Sequence, residues 1–276
     1  MKFLVISDIH DNWKHLREMQ QLAKSLDGVI FLGDLSLHKG ISLNAFENLS
    51  RIYEATNWMI ALPGNSANPE ELEYLDTLGI NLHGTSTHLD DIGFFGIGGG
   101  SDPVELVLDL RRYFIEKSPT PIELDPKSIE TLNVFGIDIR NGRFEVERWT
   151  VEQVQDLEKY RGPFDHCENE IFDILSAGYR GIAQLPYHIL LSHIPPYEPG
   201  LNALLPEGVS TGSKSIRRFI ETHAISYSLS GHYHRHHEFL IDSVRCTNCP
   251  AVLDGFYSIF SISASIDEAY VEVKKF

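Results

Sequence analysis

The chain has 276 residues, of which 42% are hydrophobic and 11% aromatic, and this composition excludes a disordered protein. Its formal net charge is −16 at pH 7, which argues against nonspecific binding to nucleic acids or to anionic membranes, because both need Lys and Arg beside phosphates. The charge does not exclude a small phosphorylated substrate, since a bound divalent cation can reverse the local field.

We expect neither an export signal nor a membrane-spanning segment in this sequence. The apolar run in "MKFLVIS" is too short for a signal peptide, and no stretch reaches the roughly 20 apolar residues that span a bilayer. Cys167, Cys246 and Cys249 form an odd set, and "CTNC" lacks the second Cys pair of a zinc site and the strand-to-helix setting of a redox motif. We therefore expect a soluble cytoplasmic protein, and the sequence leaves a homo-oligomer open.

The first hundred residues alternate between strand and helix patterns. Buried strands are predicted at 2–7, 28–35, 58–65 and 94–100, and helices at 13–26, 43–55 and 69–79. The third helix has Pro69 at its first position and Gly79 after its end, as helices often do. Strands that alternate with helices indicate right-handed βαβ units and a parallel sheet.

The pattern changes near residue 102. It predicts a helix at 103–117, a hairpin at 135–149 turning at Asn141-Gly142, and a helix at 151–160 capped by Thr150. We interpret about 102–182 as an insertion or connecting region within a single domain spanning 1–276. Alternation resumes with a strand at 187–196, a helix at 213–223, a strand at 225–234 and β-like runs to the C-terminus.

Polar residues that can bind metals follow the ends of these strands: Asp8, His10, Asp34, Asn65, His193, His232 and His234. Any one of them alone is more simply a turn residue, a helix cap or a structural His. Because open α/β sheets bind ligands at the carboxyl ends of their strands, we expect all seven along one edge. Two pairs are spaced i, i+2, which in extended chain would point both members to one side. Glycines precede three of the positions, at Gly33, Gly64 and Gly231.

Two Asp, one Asn and four His are too many ligands for one ion. They suit two divalent ions that share a carboxylate. This mixture of oxygen and nitrogen ligands accepts Mn, Fe, Ni, Co or Zn, so the sequence leaves the metal's identity open.

The ordered blocks "SDIH", "GD", "GN", "SH" and "GHYH" resemble the calcineurin-like metallophosphoesterase superfamily, and small prokaryotic members above all. The resemblance spans residues 8–234 and implies a four-layer α/β/β/α sandwich of two mixed β-sheets with flanking helices. It implies Asp8, His10 and His234 on a first metal and Asn65, His193 and His232 on a second. Asp34 would bridge the metals and hold a hydroxide that attacks phosphorus in line, and Asn65 would contact the phosphate.

The sequence departs from the family pattern after Gly64-Asn65. Ser66 and Ala67 stand where many members have a His that is the proposed proton donor to the leaving group and an acid that orients this His. General acid catalysis contributes about 10²–10⁴-fold, and its loss matters most for alkyl monoesters. We therefore predict a metal-dependent phosphodiesterase, or a phosphoanhydride-cleaving enzyme, that acts on a small phosphoester.

Three further His residues and two other functions complete the predictions. His38 is a candidate replacement acid, although it also suits a surface loop. His236 is a candidate substrate contact and His237 is expected to be solvated. The alternatives are a non-catalytic scaffold that keeps this fold to bind proteins, and a phosphomonoesterase or protein phosphatase. Seven retained ligands disfavour the scaffold, because buried together without metal they would be costly. The missing acid disfavours the phosphatase.

Overall fold

The computed structural model describes residues 1–36, 43–117, 137–140, 143–146, 151–198, 212–263 and 265–276. Its strands are β1 (Lys2–Ile6), β2 (Gly28–Phe31), β3 (Met59–Ala61), β4 (Ser86–Leu89), β5 (Ile92–Ile97), β6 (Gly100–Ser101), β7 (Ile137–Arg140), β8 (Arg143–Val146), β9 (Asp165–His166), β10 (Tyr187–Ser192), β11 (Tyr227–Ser230), β12 (His237–Ile241), β13 (Val244–Asn248), β14 (Phe256–Ser261) and β15 (Tyr270–Lys275). Its α-helices are α1 (Leu16–Ser25), α2 (Leu43–Tyr53), α3 (Pro69–Thr77), α4 (Pro103–Lys117), α5 (Val151–Gln155), α6 (Glu168–Arg180) and α7 (Lys214–Thr222).

Two mixed sheets contain most of the strands. The first has the order β15-β14-β1-β2-β3, in which β1, β2 and β3 are parallel while β14 and β15 are antiparallel to their neighbours. The second has the order β12-β13-β11-β10-β5-β4, with the four central strands parallel and the edge strands β12 and β4 antiparallel. Both sheets therefore contain the parallel units that the sequence predicts.

The sheets pack face to face around an apolar core. Phe3 and Ile30 from the first sheet meet Phe94 and Leu191 from the second. The alternate residues of β1 point the other way, so that Leu4 packs beneath helices. A strand buried on both faces needs a continuous apolar run, which is why "FLVI" shows no polar alternation.

Helices cover the outer face of each sheet. The first sheet is covered through Met19 of α1, Leu49 of α2 and Leu75 of α3. The second is covered through Leu175 of α6 and Phe219 of α7. The order of layers is therefore α/β/β/α, which confirms the predicted fold class. No helix in the described part of the chain combines the length and apolar character needed to cross a bilayer.

The segment at 102–182 contains elements of two kinds. The predicted hairpin is present as β7 and β8, while its turn at 141–142 lies outside the described residues. Helix α6, near the end of the segment, belongs to the layer that covers the second sheet. Helix α4 contacts it through Glu105, whose Oε2 accepts the Glu168 backbone N–H at 2.8 Å. The first helix differs in its bounds, because α1 begins at Leu16 and turns occupy 13–15.

Candidate metal centre

The candidate ligands follow strands that end at a common edge. In the first sheet Ile6 is paired with Phe31, and Phe31 with Ala61, so β1, β2 and β3 end together. In the second sheet Ser192 is paired with Ser230, the last residues of β10 and β11. The loops that leave these five strands bring all seven predicted ligands to one place.

Asp8, His10 and His234 form the first ligand group. Asp8 Oδ1 lies 3.8 Å from His10 Nε2 and 3.5 Å from His234 Nε2, and the two imidazole nitrogens are 3.1 Å apart. The other carboxylate oxygen, Oδ2, accepts hydrogen bonds from the Ser7 hydroxyl at 2.5 Å and from the His232 backbone N–H at 3.0 Å. Those two donors fix the carboxylate so that Oδ1 faces the imidazoles.

Asn65, His193 and His232 form the second group. Asn65 Oδ1 lies 2.9 Å from His193 Nε2 and 3.1 Å from His232 Nδ1. On the far side of its ring, His193 Nδ1 lies 2.8 Å from the Leu32 backbone oxygen. An Nδ1–H that donates to this carbonyl leaves the Nε2 lone pair directed at the site, which is the tautomer a metal ligand needs.

Asp34 lies between the two groups. Its Oδ2 is 3.6 Å from His10 Nε2 and 3.5 Å from His193 Nε2. Gly64 allows this position, because a Cβ there would overlap Asp34 Oδ1. One carboxylate oxygen thus faces a histidine of each group.

The donor set fits divalent cations. Asp8 Oδ1 is buried and accepts no hydrogen bond within the described residues, which is costly for a carboxylate unless a cation or another donor satisfies it. Two sets, Asp8 with His10 and His234 and Asp8 with Asp34 and His193, each place their ligand atoms within 4.8 Å of one another. Carboxylate, amide oxygen and imidazole suit several divalent transition metals.

The electrostatics of the site couple Asp34 to His193. Burial alone would raise the pKa of Asp34. The charge of His193, together with hydrogen bonds from His193 and Ser66, lowers this pKa overall. Burial alone would lower the pKa of His193, but Asp34 raises it to about 9. Burial lowers the pKa of His232 to about 4, with a further contribution from the charge of His193. A ligand imidazole must be neutral, so a cation bound here would replace the proton of His193.

The backbone at the ligands differs from the predicted extended chain. Asp8 and His10 have φ of 53° and 49°, and His232 and His234 have φ of 74° and 54°. The expectation that i, i+2 alternation along a strand aligns each pair is therefore wrong. The strands end first, and left-handed turns then point the side chains inward. Asp34, with φ of 59°, likewise lies in a left-handed turn after the end of its strand.

The remaining predicted residues have different positions. His38 lies outside the described residues. His236 is exposed just before β12, and its role as a substrate contact stays a prediction. His237 is partly buried and lies near Phe239, with the ring centroids 5.6 Å apart, so its side chain is solvated only in part. Cys246 is buried, and burial raises the pKa of its thiol to about 12, which leaves it unreactive.

Sequence reasoning missed two residues that support the ligands and one buried acid. Ser7 fixes Asp8, and a hydroxyl directly before the aspartate at the strand end is the signal that points to it. The sequence pattern marks Ser66 only as the replacement of a His, yet its hydroxyl and backbone N–H both contact Asp34 Oδ1. Glu71 is a buried carboxyl in the first turn of α3, where sequence patterns predict an exposed acid.

Comparison with known proteins identifies the family. The family model for calcineurin-like phosphoesterases matches residues 1–236. The chain belongs to the calcineurin-like phosphoesterase family. This confirms the resemblance seen in the sequence, and it makes the protein a member of a family of metal-dependent hydrolases that act on phosphoester bonds.

Two relatives extend the comparison. The uncharacterized protein MJ1162 of Methanocaldococcus jannaschii is 22% identical over 238 residues, covering 85% of this chain and 80% of that protein. The crystal structure of TT1561 of Thermus thermophilus superposes with a TM-score of 0.64 at 16% identity, covering 99% of this chain and 98% of that one. The second similarity shows that this phosphoesterase shares its fold with TT1561 over nearly its whole length.

Proposed function

We propose that this calcineurin-like phosphoesterase is a phosphodiesterase that works with two divalent metal ions. The observation that carries the proposal is the position of Asp34, whose Oδ2 lies within 3.6 Å of His10 Nε2 and 3.5 Å of His193 Nε2. A carboxylate oxygen placed between two imidazole-containing groups suits a ligand shared by two ions.

The residues of the chain divide the work of binding and orientation. Asp8, His10 and His234 would hold one ion, Asn65, His193 and His232 would hold the other, and both ions would share Asp34. When bound, the ions activate water as a nucleophile and neutralise charge on the phosphoryl group. The ligand residues are mostly buried, so the scissile group reacts at a site whose ligands are fixed before the substrate arrives.

The preference for diesters rests on the residue after Asn65. Ser66 occupies the position of the family's proton-donating His, and its hydroxyl contacts Asp34 and the Ser36 carbonyl oxygen. A serine hydroxyl with these partners is a poor acid at neutral pH. Leaving groups that depart without protonation, such as aryl oxides or phosphates, are therefore favoured over simple alkoxides.

Hydrolysis of two aryl phosphates tests the proposal. Protein treated with a chelator should be assayed on bis-p-nitrophenyl phosphate and p-nitrophenyl phosphate after addition of Mn²⁺, Ni²⁺ or Zn²⁺. We expect metal-dependent turnover with the higher kcat/KM on the diester. Asp34→Asn should abolish it, while Asp173→Asn, which removes an exposed carboxylate on α6, should leave it unchanged.

Two outcomes would contradict the proposal. A higher kcat/KM on the monoester, or on an alkyl monoester, would show that the acid has been replaced by another group and would favour a phosphatase. Absence of turnover with every metal, in protein that still binds two ions, would favour the non-catalytic scaffold.

A further inference from the structure

Ser66 contacts the shared ligand rather than open solvent. Its backbone N–H donates to Asp34 Oδ1 at 3.0 Å, and its hydroxyl lies 2.6 Å from the same oxygen. The hydroxyl also lies 2.8 Å from the Ser36 carbonyl oxygen. Since a serine has one hydroxyl hydrogen, it can donate to only one of the two, and a carboxylate is the stronger acceptor.

These two donors determine which oxygen of Asp34 is available. With Oδ1 held by Ser66, only Oδ2 faces the imidazoles of His10 and His193. A carboxylate without donors on Oδ1 could rotate about its Cβ–Cγ bond and present both oxygens to one ion. A fixed rotamer therefore favours sharing between two ions over chelation of one.

We propose that Ser66 is a positioning residue for metal binding. Its hydroxyl holds Asp34 in the orientation that serves both ligand groups, and the position that carries a proton donor in many relatives here supports a ligand instead. This inference rests on the proposed dinuclear centre. It goes beyond that proposal by giving a binding role to the residue that marks the departure from the family pattern.

Metal titration tests the role separately from catalysis. Chelator-treated protein should be titrated with Mn²⁺ in a calorimeter. We expect two equivalents in the native chain and a 10–100-fold loss of affinity for the weaker ion in Ser66→Ala, the range typical of lost partners of a ligand. Ser66→Thr keeps the hydroxyl and should restore the affinity to within a few-fold.

Ser36→Ala is the matched control, because its hydroxyl is close by but contacts Asp11 at 3.4 Å rather than Asp34, and its carbonyl is retained. Native affinities in Ser66→Ala, or an equal loss in Ser36→Ala, would overturn the role of Ser66 while leaving the dinuclear proposal intact. A native chain that binds fewer than two equivalents of Mn²⁺ would overturn both. Melting temperatures of the metal-free variants should agree within a few degrees, which shows that the measured loss reflects binding rather than folding.

Discussion

We predict that Glu71 makes the stability of the metal-free protein fall as pH rises. The side chain is 3% exposed, and its Oε1 is buried with no hydrogen-bond partner among the described residues. Burial, together with the nearby charge of Asp34, raises the pKa of Glu71 to about 8, even though the first turn of a helix favours a negative side chain. In the unfolded chain the pKa returns to about 4.3. Between these values the native state holds a proton that the unfolded state has released.

The size of the effect follows from this difference. As pH rises between the two pKa values, the free energy of unfolding falls by at most about 1.4 kcal/mol per pH unit. From pH 5 to pH 8 the free energy of unfolding should fall by about 3.5 kcal/mol because of Glu71 alone. Glu71→Gln removes this titration. It should therefore be more stable than the parent at pH 8, by roughly 5–10 °C in Tm, and close to it at pH 5.

Thermal unfolding in the presence of a chelator, at pH 5, 6.5 and 8, measures the difference. Glu70→Gln is the control, because Glu70 is the exposed neighbour in the same helical turn and loses the same charge. The Tm of Glu70→Gln should follow the Tm of the parent at all three pH values. If the Tm of Glu71→Gln also changes with pH in parallel with the parent Tm, the reasoning is refuted. That result would mean that Glu71 is ionised in the folded protein and that its charge is stabilised there.

Two further variants test packing near the site and in the core. Gly231→Ala should destabilise the protein by about 1–3 kcal/mol and weaken Mn²⁺ binding, because the new Cβ would overlap the Ser7 hydroxyl that holds the first carboxylate. If Gly231→Ala keeps the native Tm and Mn²⁺ affinity, the prediction is wrong, because the loop at Gly231 can then move to accommodate the Cβ. Tyr227→Phe should cost about 1 kcal/mol in urea unfolding, because the buried Tyr227 hydroxyl lies 2.9 Å from Thr247 Oγ1 and its loss leaves that oxygen unpaired. Adding Thr247→Val should recover part of the cost, and a double variant less stable than the single one would contradict this account.

The sequence predicts the layers of the fold better than the strand partners. Runs such as "FLVI" are short, apolar on both faces and alternate with helical patterns, which favours buried strands, so the parallel units follow from local pattern. The pairing of β14 with β1 does not, because Phe260 and Phe3 meet across more than 250 residues of chain. The pairing of β14 with β1 depends on how the whole sheet assembles, and the local sequence pattern does not predict it.

The site shows the same division. Each candidate ligand could be located because strand ends converge in an α/β sheet, and the structure brings all seven together. The contacts that orient them could not be located. The sequence shows only that Ser66 stands where many family members have a His. The folded loop is needed to show that its hydroxyl contacts Asp34. Glu71 has the spacing of a solvated helix acid, and its burial depends on how α3 packs beside the site.

The left-handed backbone at the ligands also decides which substitutions are informative. Asp8 keeps its φ of 53° because backbone hydrogen bonds continue past the strand ends, from Asp8 N to Gly33 O at 2.9 Å and from Ile9 N to Asp34 O at 2.9 Å. These bonds use no side-chain atoms, so they hold the turn at Asp8 without its carboxylate, while the carboxylates of Asp8 and Asp34 add the bonds from the His232 and Ser66 backbone N–H groups. Asn and Asp tolerate this conformation, whereas Ala adopts it at a cost of roughly 1 kcal/mol. Asp34→Asn therefore removes a metal-binding charge while keeping the left-handed backbone and an oxygen that can accept the Ser66 N–H, whereas an Ala variant at the same position would lose the charge, the acceptor and the favourable φ together.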